Sequence, residues 1–168
     1  MRTKAKELTS FEVYQHADSF FLALHFAHTK CSRQEAGAIG IPICVWSAFS
    51  SELFLKCLYH IEKGHLPGGI HLLDRLFAKL TPATQRRLEQ LWDEMAIQRK
   101  EILDNIDRAE GRARPRDLRS NLAAGADGFR LIRYLYEGKG GNFDFNLSDL
   151  PIILRHRILE LKPEWARR

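Results

Sequence analysis

The chain is short of cysteine, short of proline and without a long uninterrupted apolar run. Its three cysteines, Cys31, Cys44 and Cys57, are odd in number and widely spaced, and no CxxC occurs. This excludes a disulfide framework and gives no zinc signature; the thiols read as small buried hydrophobes in a reducing compartment. The longest apolar run, about Ala38 to Trp46, is broken by glycine and proline and is too short to cross a bilayer. The segment Met1-Arg2-Thr3-Lys4-Ala5-Lys6 is basic but lacks the apolar stretch of a signal peptide. A cytoplasmic protein without membrane contact is therefore expected. Charge of one sign is also scarce in excess: 26 basic residues face 21 acidic ones, for a net +5. A dedicated duplex-DNA reader usually carries more, or a motif, although localised contact with RNA stays open. Strand-like alternation is confined to Asn142–Asn146, and there is no internal repeat, heptad run or low-complexity tract.

Helical signals fill what remains, over one domain spanning 1–168. Thr9 and Glu12 have capping-box spacing, opening a helix over about 10–28 with Phe11, Tyr14, Ala17, Phe21 and Leu24 on one stripe. Arg33 to Pro42, with two glycines and a proline, reads either as a connection or, through its Ala-rich middle, as the start of the next helix. A second helix over about 43–63 is apolar nearly all round, which suits the centre of a bundle, and Gly64 suits its C-terminal cap. A Pro67-Gly68-Gly69 turn leads to a short helix over about 71–80. Thr81-Pro82 restarts the chain into a long fourth helix to about Arg108, whose inward stripe includes Leu88, Leu91, Met95, Ile102 and Ile106. A basic loop follows, then a fifth helix to about Glu137 and a last one over about 148–161. The fold class expected is all-α: an up-and-down bundle of four to five helices plus short ones, with antiparallel neighbours.

Four groups of residues invite chemistry. Glu52, Lys56 and His60 form a polar stripe on the apolar second helix, either a solvated edge or one wall of a polar cleft. Arg130, Arg133, Tyr134 and Glu137 share a helical face; two guanidiniums beside a tyrosine suit phosphate and base contacts, or else pair and pack within the bundle. His71, just after the Gly-Gly turn, is either a proton acceptor or phosphate ligand, or a half-buried structural histidine. Arg112, Arg114, Arg116 and Arg119 are the densest basic cluster, a solvated loop or a sequence-independent backbone contact. Lys139 among Gly138, Gly140 and Gly141 lacks phosphate-loop spacing. No metal ligand set and no cofactor motif is present.

Three stretches carry a family resemblance: Ala48-Phe49-Ser50-Ser51-Glu52-Leu53-Phe54-Leu55-Lys56, His71-Leu72-Leu73 after a glycine turn, and Phe129-Arg130-Leu131-Ile132-Arg133-Tyr134-Leu135-Tyr136-Glu137. In that order they resemble the HEPN superfamily, the helical "higher eukaryote and prokaryote nucleotide-binding" domains, over about Phe11 to Leu161. The resemblance implies a helical bundle, often a homodimer. It also implies either an RNase of toxin–antitoxin, defence or RNA-processing systems, or a non-catalytic module binding RNA, a nucleotide or a cognate protein. The RNase members carry an Arg followed, after four to six intervening residues, by a His, and none of the histidines here has an Arg at that spacing. The expectation is therefore a non-catalytic HEPN-like binding module in a bacterial stress or defence setting. Its alternatives are a divergent metal-independent RNase using Arg133 and His71, and a helical interaction scaffold.

Overall fold

The computed structural model describes residues 7–126, Ile132 and 147–167. These residues are all helix and connection. The elements are α1 (Ser10–Lys30), α2 (Arg33–Ala38), α3 (Gly40–Lys63), α4 (Leu73–Ala78), α5 (Pro82–Gln98), α6 (Lys100–Glu110), α7 (Leu118–Ala124) and α8 (Leu150–Leu161), followed by a 3₁₀ turn at Pro163–Arg167.

Helix α3 is the centre, packed mainly on α1 and also on α8 and α4. Ser50 Oγ donates to the Ala17 carbonyl at 3.1 Å and Cys57 Sγ approaches the Ser10 carbonyl at 3.3 Å. Residue number rises on one helix as it falls on the other, so α1 and α3 are antiparallel. A hydroxyl reaching a neighbouring helix backbone requires close approach, which the fully buried Ala17 and Ala48 permit. Phe54, Leu55 and Leu58 fill the core beside them with Leu76, Leu88, Leu118 and Leu154; each such side chain contributes about 1.5–3 kcal/mol. α5 and α8 are also antiparallel, joined by Arg87–Glu160 near one end and Arg99–Asp149 near the other.

The termination signals behave as expected. Thr9 and Glu12 form the reciprocal capping box, Gly64 caps α3 at φ 77°, and Thr81 caps α5 with Pro82 behind it. The Glu62 carboxylate additionally accepts from the Thr81 amide and hydroxyl at 2.8 and 2.7 Å, tying the end of α3 to the start of α5.

The structure decides one open reading and corrects two expectations. The 33–42 stretch is not a plain connection: Ser32 and Glu35 cap each other and start α2, and α3 begins at Gly40, because a proline in the first turn has no amide to satisfy. The long fourth helix breaks at Arg99, whose backbone leaves helical geometry while its guanidinium engages Asp149. The break redirects α6, so Ile102 and Ile106 are 59% and 37% exposed instead of facing the core. Separately, α3 is by length and composition alone apolar enough to cross a membrane, and half of its most apolar window is buried within the bundle, as in the core helix of a bundle. The expected fifth helix is described as α7 only; its continuation lies outside the described residues.

Candidate functional site

A helix turns through 3.6 residues, so Glu52, Lys56 and His60 lie on one line of α3. That line is not a solvated edge. The Glu52 side chain is 3% exposed, and its Oε1 accepts from Lys56 Nζ at 2.6 Å. The same oxygen faces His71 Nδ1 at 3.0 Å. His71 arrives from the loop that Gly64 and the positive-φ Gly68 turn back along α3, and the Leu73 amide, bonded to the Ala126 carbonyl at 3.1 Å, holds the loop's far end. The contact therefore joins residues 19 apart in the chain.

The geometry assigns roles. An ionised carboxylate only accepts, so Nδ1 of His71 carries the proton directed at Glu52 and Nε2 is left to the exterior. The imidazole is 69% exposed, whereas Lys56 is 15% exposed. Lys56 has three N–H donors and gives one to Glu52. Burying a carboxylate is costly unless cations and donors surround it, and here two basic groups converge on a single oxygen. The other oxygen, Glu52 Oε2, is buried without a hydrogen-bond partner among the described residues, as are Ser51 Oγ and His60 Nδ1. Such atoms are rare and costly in folded proteins. The site is thus a buried acid holding a lysine and an outward histidine.

The basic cluster behaves differently. Arg112 Nε donates to Glu110 at 3.0 Å, Arg114 engages Glu110 at 2.5 Å and Asp107 at 3.5 Å, and Arg116 bridges Asp104 and Asp107 at 3.0 and 2.7 Å. Arg119 pairs with Glu89 at 2.5 Å, its guanidinium over the Phe77 ring. The hydrogen bond from Lys100, with Arg116 nearby, holds Asp104 below the usual carboxylate range; hydrogen bonds from Arg114 and Arg112 do the same for Glu110. A nucleic-acid phosphate would have to displace these carboxylates, so the loop is no free basic patch.

Sequence reasoning named Glu52, Lys56 and His71, and the structure brings these three together. Arg130, Arg133, Tyr134 and Glu137 lie outside the described residues. Sequence reasoning missed the burial of Ser47, Ser50 and Ser51 beside Glu52; the signal available was a run of small hydroxyl residues in an otherwise apolar helix. Among the described residues no cluster of His, Cys, Asp or Glu suits a metal ion. Comparison of the chain with protein-family models, with curated proteins and with solved structures gives no match.

Proposed function

We propose that the chain is a helical module that binds RNA or a nucleotide through phosphate, with Lys56 and the outward edge of His71 as the contacts and Glu52 as the group that positions both. The observation that carries this reading is the single buried Glu52 oxygen shared by the two basic side chains. It fixes an ammonium and an imidazole side by side at the rim of the bundle, with little side-chain entropy left to lose on binding. Two further observations support it: the net charge of +5, and the HEPN resemblance, whose quoted stretches contain all three residues.

The test is fluorescence anisotropy of labelled, mixed-sequence single-stranded RNA over a salt series. Lys56→Gln and His71→Gln are expected to weaken binding and to lower the salt slope, by roughly 0.7 for each single-strand phosphate contact removed. Unchanged affinity and slope in both variants would sink the reading.

A second reading rests on the Glu52–His71 contact. A carboxylate behind Nδ1 orients an exposed imidazole for proton transfer, which suits a metal-independent RNase. RNA shortened to products ending in a 2′,3′-cyclic phosphate, and left intact by His71→Ala, would favour that reading over simple binding.

A further inference from the structure

Helix α6 has a face that the rest of the described chain does not cover. It buries none of its residues, yet Ile102, Leu103 and Ile106 recur at helical spacing on one side of it. Just before it, Ile97 at the end of α5 is 76% exposed. An isolated helix of this length is marginal in water; packing of an apolar face is what normally holds one. Here the polar side of α6 does that work, through Asp104 and Asp107 against Arg114 and Arg116. The apolar side borders an open groove between α5, α6 and the start of α7, with Ile97 and Leu103 in its wall.

The charges around this groove indicate what fits it. Two cations line it, Lys100 and Arg116, and both are engaged by carboxylates within the molecule. Among the described residues, Asp93 at the groove and Glu101 on the exposed side of α6 have no ion pair. The lining itself holds three carboxylates, Asp93, Asp104 and Asp117, against these two cations, in a protein whose net charge is +5. A second copy docking here would bring the same acidic rim to its own kind.

We infer that the groove and the adjoining face of α6 dock an amphipathic helix of a partner protein. That helix would offer apolar anchors at i, i+3/i+4 and i+7 to Ile97, Ile102 and Ile106, and lysine or arginine flanks to Asp93 and Glu101. The surface is separate from the Glu52 site and does not depend on the RNA reading.

The test uses the full chain and two labelled probes, an amphipathic Leu/Lys peptide and a Leu/Glu peptide with leucines at identical helical spacing. The Leu/Lys peptide is expected to bind more tightly, against the sign of the protein's net charge. Ile97→Ser/Ile102→Ser should weaken it about tenfold or more, with an unchanged circular dichroism spectrum. Asp93→Lys/Glu101→Lys should invert the preference between the probes. Equal binding of the two peptides, preference for Leu/Glu, or indifference to the isoleucine substitutions would each overturn the inference. So would a dimer in sedimentation that dissociates in Ile97→Ser/Ile102→Ser, which would assign the face to a second copy.

Discussion

Helices α3 and α6 invert the usual distribution of polarity in opposite directions. α3 buries Ser47, Ser50, Ser51 and Glu52, while α6 buries nothing and exposes its isoleucines. Polar burial is costly unless satisfied, and apolar exposure forgoes stabilisation that folding would otherwise gain. Neither arrangement is what stability alone would select. The difference lies in what each helix offers: α3 presents fixed polar atoms supported from within, and α6 presents apolar area that the described residues leave uncovered. A site for chemistry or for charge is built the first way, a docking surface the second.

The widest separation between the two should come from single substitutions. Glu52→Ala removes the counter-charge of a largely buried lysine and is expected to cost about 3–5 kcal/mol in urea unfolding. Ile102→Ser, on the exposed face, should stay within about 0.5 kcal/mol of the parent. Similar losses at both positions would break the comparison.

Chemical labelling should sharpen it. Burial pushes the Cys57 thiol on α3 up to about 12, so at mildly alkaline pH almost none of it is the reactive thiolate. Iodoacetamide should modify Cys57 only under denaturing conditions, while a thiol introduced by Ile102→Cys should react in the native state, as read by mass spectrometry.

The smallest effect concerns acid. Glu160 on α8, which packs on α3, has its pKa lowered from 4.5 to about 2, chiefly by the hydrogen bond from Arg87 and further by Arg157. A depressed folded-state value means this carboxylate stabilises above its unfolded pKa and loses that contribution as pH falls through the folded one. Stability measured from about pH 4.5 down to about 2 should therefore fall less steeply in Glu160→Gln. Asp104 and Glu110 of α6 have lowered values too, but in exposed pairs. Their neutralisation should show a weaker, salt-screened response.

The helical class and several helix ends were legible because they depend on neighbours in sequence: the capping box at Thr9, the left-handed Gly64, and Thr81-Pro82. Ser32 and Glu35 carried an equally local signal for α2 that the nearby glycines and proline masked. The break at Arg99 was not legible, since no glycine or proline marks it and its partner Asp149 is 50 residues away. Of the site, the residue identities were legible and the burial was not. Helical spacing puts Glu52 and Lys56 on one face, but whether that face is wet depends on α1, α8 and the His71 loop. For the arginines from 112 to 119 the sequence left a solvated loop and a backbone contact side by side, because their carboxylate partners are visible only once α6 and α5 are folded beside them.

The packing of Trp165 against Phe11 and Tyr14, at 5.2 Å between ring centroids, and the Arg155–Asp18 pair at 2.6 Å bear on how the molecule is made. Helix α1 finishes its core only with residues added more than a hundred positions later. At about 5–20 residues per second, α1 waits on the order of ten seconds for that cover, with Phe11, Tyr14 and Phe21 in need of shelter. Loss of the residues from Arg155 onward would leave the beginning of the chain, far from the cut, as the part that quality-control machinery sees.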